Sequence, residues 1–336
     1  MSTDHQRGAA PHQVSVVIPV YKGESTLPAL IAEIAPLTDV VTSPGGSPWT
    51  VGEVILVFDN GPDGSAATIR DLEAQYEFVR AVWLSRNFGQ HSATLAGMAS
   101  SGFEWIATID EDGQHNPVQI GLLIDAALEK QVPLVYAEAT NAAPHGPLRN
   151  AASRGAKWLV ARLAGSRAAV EYQSFRLIVG EVGRSVAAYA GSGVYLDVAL
   201  GWVAAGSTTA PVELRSEGGR ASGYSTRKLI GHFWRLILSS GTRGLRIVSL
   251  AGVLFAIAGV VLAIVFVIER VTNGNLPAGF TSLMVVLLVT SGAVLFSLGI
   301  IAEYLGVAVN MAMGKPPYLI VSDPDRGPLG RRLPRR

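Results

Sequence analysis

The sequence predicts an α/β domain followed by an amphipathic interfacial helix and a two-helix transmembrane hairpin. From Val14 to about Ser225, short apolar runs alternate with helical stretches, the pattern of strands and helices wound about one sheet. Further on, residues 247–268 and 280–302 each run for about 22 residues without a charge, enough to cross a hydrocarbon core of about 30 Å at 1.5 Å per residue. Core helices of soluble proteins rarely lack every charge on all faces over such a length. Between the two regions, Lys228, His232 and Arg235 share one helical face, and Ile230, Phe233, Trp234, Ile237 and Leu238 cover the other.

In chain order, residues 1–13 are polar and predict a disordered tail, with no apolar stretch of the kind a signal peptide needs. The α/β domain occupies 14–226. Its strands are expected at 14–19, 54–58, 79–84, 105–109, 134–136 and 211–214, and its helices at 25–35, 66–76, 90–101, 117–129 and 149–164. Residues 42–50, rich in Pro, Gly and Ser, read as a loop. The amphipathic juxtamembrane helix covers 227–246 and suits an interface, although packing on the soluble domain produces the same pattern. The hairpin covers 247–306, with Asn273, Gly274, Asn275 and Pro277 as turn formers between its spans. A basic tail follows at 307–336. Cations flank both spans, Arg227, Lys228, Arg235, Arg243 and Arg246 before the first and Lys315 with an arginine-rich tail after the second. This places both termini and the α/β domain on the cytoplasmic side of the inner (plasma) membrane.

Composition excludes several classes. The chain has 336 residues and no cysteine, which removes disulfide scaffolds, thiol catalysis and cysteine zinc sites. Lys and Arg number 27 against 26 Asp and Glu, so nothing in the overall charge favours nucleic acid. Charged residues make up 16%, below the roughly 25% usual in soluble domains, which agrees with a chain partly in lipid. No Gly-x-x-x-x-Gly-Lys-Ser/Thr loop, Gly-x-Ser-x-Gly elbow or Gly-x-Gly-x-x-Gly after the first strand is present, and the histidines show no paired metal spacing.

Four polar clusters sit just past expected strands, where open α/β sheets hold ligands. They are Pro19 to Glu24, Asp59 to Ser65, Ser85 to Gly89 and Asp110 to Gln114. Asp110 and Asp112, at i and i+2 beyond a buried strand, repel each other and lose hydration, so a hard divalent cation is their natural counter-charge. Asp59 to Ser65 also reads as an ordinary turn, through Asn60-Gly61 and Asp63-Gly64. Arg86 and Asn87 either cap the next helix or meet a phosphate.

The ordered set Val16-Val-Ile-Pro-Val-Tyr21, Asp59 to Ser65, Leu84 to Gly97, Ile109-Asp-Glu-Asp-Gly-Gln114 and Ser174-Phe-Arg-Leu177 resembles glycosyltransferase family 2. With the hairpin, Glu303-Tyr-Leu-Gly306 and Lys315-Pro-Pro-Tyr318, it is similar to the polyprenyl-phosphate glycosyltransferases of that family over nearly the whole chain. The resemblance implies a GT-A, Rossmann-like domain that moves a sugar, with inversion, from a UDP- or GDP-linked donor to a polyprenyl phosphate, for cell-envelope glycan or glycoconjugate modification. By position it implies that Pro19, Tyr21, Glu24 and Asp59 line the nucleoside end, with Arg86 also on the donor. Asp110 and Asp112 would hold magnesium or manganese and the diphosphate, with Gln114 beside them. Arg149, Arg154 and Arg176 would meet the acceptor phosphate, and Asp197 matches a place where relatives often carry an acid, here a candidate catalytic residue.

Asn60 and the inserted Gly61-Pro62 depart from the family's Asp-Asp-Gly-Ser, leaving Asp59 and Asp63 both open for the nucleoside role. Arg215 and Arg220 are likewise both candidates for a phosphate contact. No Gln-x-x-Arg-Trp element is present, which favours transfer of one sugar. Small residues along the spans, such as Gly252, Gly259, Gly292 and Gly299, permit a homo-oligomer. A membrane glycosyltransferase acting on another lipid or glycan, and a catalytically silent membrane scaffold, are the competing readings.

Overall fold

The computed structural model describes residues 10–141, 173–191, 194–215, a discontinuous set within 252–272, and 279–327. The expected helices at 149–164 and 227–246, together with Arg149, Arg154 and Arg220, lie outside the described residues. The chain divides into two compact units, Met1–Ser225 with Pro316–Arg336, and Thr226–Lys315.

In the first unit the elements run β1 (His12–Val20), α1 (Leu27–Ile34), β2 (Val41–Thr42), β3 (Pro48–Phe58), α2 (Ser65–Gln75), β4 (Val79–Leu84), α3 (Gln90–Ser100) and β5 (Trp105–Thr108). They continue with α4 (Ile120–Lys130), β6 (Leu134–Ala139), β7 (Arg176–Val179), α5 (Gly180–Tyr189), α6 (Leu196–Val203), β8 (Thr208–Val212) and, after the second unit, β9 (Ile320–Val321). Among the described residues the strands form one sheet in the order β8-β6-β7-β5-β1-β3-β4-β9, with β2 on β3. Strands β1, β3, β4 and β5 are parallel, whereas β7 runs antiparallel to both of its neighbours, β5 and β6.

β1 shows why the sheet is central. Val14 to Val20 are buried without interruption, as required of a strand covered on both faces. Side chains alternate: Val14, Val16, Ile18 and Val20 join a core built with α1, α2 and α4. Val17 joins Ile55 and Val57 in a second core under α3, α5 and α6. Each such aliphatic side chain contributes about 1.5–3 kcal/mol by leaving water. Helix α3 lies close to the sheet because position 97 is glycine; a Cβ there would stand 2.3 Å from Cγ1 of Val17.

Two expectations need correction. Residues 42–50 are not one loop: β2 and the start of β3 pair across a tight turn at 43–47, and Trp49, Thr50 and Val51 are buried strand residues. The carboxylate of Asp125 secures that turn, accepting from the Ser43 hydroxyl at 2.5 Å and the Gly45 amide at 2.7 Å. The second expected span, 280–302, is part of a longer helix. α7 (Phe280–Ala312) passes Glu303 and stops only where Gly314 takes a φ of +65° before Pro316 and Pro317. Within it, Val289–Ala312 is long and apolar enough to cross a membrane. The described residues within 252–272 are also helical.

Candidate active site

The C-terminal ends of β1, β3, β4 and β5 meet at one edge of the sheet, and a cleft of about 420 Å³ opens there, lined by Pro19, Tyr21, Asp59, Asn87, Asp110 and Asp112 among others. Strands with buried, β-branched interiors end where polar residues begin, so each contributes its first solvent-facing side chains at this edge.

Asp110 follows β5. Its carboxylate accepts from Nε2 of Gln90 at 2.6 Å and from the Ser174 hydroxyl at 2.5 Å. Burial pushes this carboxyl above its ordinary value, and Asp112 pushes the same way; the Ser174 hydroxyl, His115 and Arg176 pull it down. Asp112 is exposed, its carboxylate accepting from the Gln114 amide at 3.0 Å. The two aspartates thus line one cleft, one anchored and one facing solvent. Hard oxygen donors beside each other, one of them strained toward protonation by burial, fit a divalent cation. Among the described residues no group of three or more His, Asp or Glu side chains is placed to hold a metal, so the remaining ligands of such a cation would be phosphate oxygens and water. His115, next to this turn, is buried, and among the described residues its Nδ1 has no hydrogen-bond partner. Burial pushes its imidazole down, against the pull of Asp110 and Asp112.

Other carboxylates in this region hold backbone. Glu111, between the two aspartates, accepts from the amides of Tyr21 and Lys22, both at 2.9 Å, and so ties β5 to the end of β1. Burial raises its carboxyl against those two amides. Asp59 accepts from the amides of Phe88 at 2.7 Å and Gly89 at 2.8 Å, fixing the loop after β4; burial again raises it, against the same amides and Arg86. Glu24 and Asp63 brace each other's loops: the Gly64 amide donates to Glu24 at 2.9 Å, and the Glu24 amide donates to Asp63 at 3.3 Å. Burial raises the Asp63 carboxyl, but hydrogen bonds from Ser65 outweigh it and hold the group low. Of these two, neither lines the cleft, whereas Asp59 does.

The arginines are dispersed. Arg86 is exposed and lies over the Phe88 ring at 4.1 Å. The Arg215 amide donates to the Gln114 carbonyl at 2.9 Å, which brings Arg215 to the Asp112 turn, while its guanidinium pairs with Glu33 at 2.7 Å. Arg176 is buried and forms an ion pair with Asp197, to which the Tyr136 hydroxyl also donates at 3.2 Å. Burial raises the Asp197 carboxyl, against Arg176 and Tyr136. Neither Arg176 nor Asp197 lines the cleft.

The structure therefore gathers Pro19, Tyr21, Asp59, Asp110 and Asp112 in one cleft, with Gln114 and Arg215 beside it. Sequence reasoning missed the backbone-holding role of Glu111 and the anchoring of Asp110 by Gln90 and Ser174. The one signal available was the position of Glu111 in an uninterrupted acidic triplet at a strand end.

A carboxylate-lined crevice at the C-terminal edge of parallel strands is the ligand site of an open α/β enzyme. Comparison with known proteins narrows that class. The profile of the family described as "Glycosyl transferase family 2" matches residues 15–170. The undecaprenyl-phosphate 4-deoxy-4-formamido-L-arabinose transferase of Yersinia enterocolitica is 30% identical over 314 residues, covering 92% of each chain. The protein of the same name from Klebsiella pneumoniae is 28% identical over 322 residues, again 92% of each. Among solved structures, glucosyl-3-phosphoglycerate synthase from Mycobacterium tuberculosis in complex with Mn2+, UDP and phosphoglyceric acid superposes with a TM-score of 0.48 at 18% identity, covering 69% of this chain and 78% of that one. The chain belongs to glycosyl transferase family 2 and is a glycosyltransferase of the Rossmann-like GT-A fold.

Proposed function

We propose that this enzyme transfers one sugar, with inversion, from a nucleotide-sugar donor to a polyprenyl phosphate of the undecaprenyl or decaprenyl type at the cytoplasmic membrane face. The observation that carries this reading is the pair Asp110 and Asp112 in the cleft of a chain similar along 92% of its length to transferases named for undecaprenyl phosphate. Asp110 and Asp112 would hold magnesium or manganese. Such a cation, when bound, stabilises the negative charge that develops as the nucleoside diphosphate departs.

The chain's own residues do the rest by positioning. Gln90 and Ser174 fix one carboxylate oxygen each of Asp110. Glu111 and Asp59 shape the walls from β1 and β4 around the nucleoside end, with Pro19 and Tyr21. Glu24 and Asp63 keep the adjoining loops together, and Arg86, which does not line the cleft but sits on the loop that carries Asn87, is the cation offered to donor oxygens. A lipid phosphate is already ionised near neutral pH, so the acceptor needs orientation more than a strong general base. Arg149, Arg154, Arg215 and Arg220 are the cations for the acceptor phosphate or the diphosphate, Arg215 by exchanging Glu33 for a phosphate oxygen. Arg176 and Asp197 act from behind the cleft, as a buried pair that supports Asp110 through the Ser174 backbone.

α7 and the uncharged run at 247–268 form the membrane hairpin in this reading, with the amphipathic segment at 227–246 in the interface and both termini cytoplasmic. That arrangement keeps the cleft at the surface where the acceptor phosphate emerges.

The test is a membrane preparation of the full chain given a panel of UDP- and GDP-sugars, undecaprenyl phosphate and either Mg2+ or Mn2+, with the lipid product identified by mass spectrometry. A sugar linked to the lipid phosphate is expected from one donor. Absence of product with every donor, or a sugar on a different acceptor, would overturn the reading.

A further inference from the structure

The chain leaves the first unit after Ser225 and rejoins it at Pro316. The returning segment is tied down more firmly than a tail requires. Ile320 and Val321 pair with Leu84 and Trp83, so β9 covers what would otherwise be the open edge of β4. The Leu319 carbonyl accepts from the Ser85 amide at 3.0 Å. Tyr318 packs on the same apolar cluster as Phe88. Asp323, almost buried, takes the fork of Arg70 through Nε at 2.9 Å and a terminal nitrogen at 2.7 Å, and Asp325 takes the other terminal nitrogen at 2.6 Å. The same guanidinium lies 4.9 Å above the Trp83 ring. Bidentate charge-assisted bonds of this kind fix orientation as well as adding energy.

What the segment grips is the loop between β4 and α3. That loop is held at its start by the Leu319 carbonyl on Ser85 and at its end by Asp59 on Phe88 and Gly89. Between the two anchors lies Asn87, which lines the cleft with Gly89 and Gln90, and Gln90 in turn holds Asp110. One anchor belongs to the α/β domain itself. The other arrives from beyond the second unit.

We propose that residues 318–326 form a strap, locked by Asp323 on Arg70, that sets the Ser85–Gly89 loop and thereby the affinity of the cleft for the nucleoside diphosphate part of the donor. Asp323, Arg70 and Tyr318 are positioning residues here, since none lines the cleft. The proposal rests on the donor assignment above for its ligand but not for its structural half.

The experiment uses the full chain in detergent, as wild type, Asp323→Ala, Tyr318→Ala and the charge exchange Arg70→Asp with Asp323→Arg. Hydrogen exchange is followed in peptides covering 84–90, 316–327 and, as a control for folding, β1. Binding of UDP and of GDP with Mn2+ is measured by calorimetry. In Asp323→Ala, exchange in 316–327 and in 85–89 should both rise about tenfold, the scale of losing one charge-assisted fork. Nucleotide affinity should fall by a similar factor with β1 unchanged. Tyr318→Ala should act in the same direction, and the charge exchange should restore protection and affinity. Faster exchange confined to 316–327, with loop protection and nucleotide affinity unchanged, would overturn the proposal, as would an Asp323→Ala strap that stays protected. If the wild type binds neither nucleotide, the donor assignment fails, and the exchange of 85–89 still decides whether the strap sets the loop.

Discussion

Arg176 and Asp197 meet as an ion pair with side chains only 4% and 3% exposed. Removing one partner strands the other charge out of water. Asp197→Ala should therefore lower stability by about 3–5 kcal/mol, while the double replacement Arg176→Met with Asp197→Leu should recover most of that loss. Denaturant melts of the solubilised chain, followed by tryptophan fluorescence, check this. An Asp197→Ala protein that melts like the wild type would show that the pair carries no stability.

Asp112 differs in kind, being exposed and, among the described residues, bonded only to the turn that follows it. Asparagine keeps an oxygen for the Gln114 amide and loses the charge. Asp112→Asn should fold and insert normally, yet transfer sugar at least about 100-fold more slowly, the scale of losing electrostatic stabilisation of a leaving group. Product formation from a labelled donor, alongside an unchanged melt, is the measurement.

The inserted Gly61 explains itself sterically. A Cβ there would stand 1.6 Å from the Tyr21 carbonyl oxygen, a backbone atom that has no room to yield. Gly61→Ala should push the end of β1 away from the cleft. The expected outcome is a loss of about 1–3 kcal/mol in stability together with weaker nucleotide binding, read by melts and calorimetry on the same preparation.

Hydrogen bonds from Arg70 hold the Asp323 carboxyl below its ordinary value, despite its burial. A group lowered on folding stabilises the folded form fully above its unfolded value and loses that contribution as pH falls through the folded one. Strap docking should thus be constant from pH 8 to about 5 and fail only below about 4, the free aspartate value. A nitroxide on position 320, an exposed strand residue, should stay immobile across the first range and become mobile in the second.

Much of this architecture was legible as pattern. β4 begins and ends with its apolar run at 79 and 84, and four polar clusters at strand ends do converge on one cleft. What stayed hidden depends on distant partners. β7 opens with a charged residue, Arg176, whose burial makes sense only once Asp197 is across from it. β9 is two residues long in a Pro-rich stretch and exists because β4 offers it an edge. Likewise the acids Glu24, Glu111 and Asp63 advertise chemistry by their type, and the fold spends them on backbone amides.

The reversed direction of β7 has one more consequence. Because β5 and β7 are antiparallel and β7 and β6 are antiparallel again, β6 finishes, and β7 starts, at the rim that carries Asp110. The described residues that flank 142–172, Thr140 on one side and Phe175 on the other, therefore both sit on that rim, the second beside the Ser174 that grips Asp110. Asp110 is thus gripped by a residue just before the start of a strand that runs against its own.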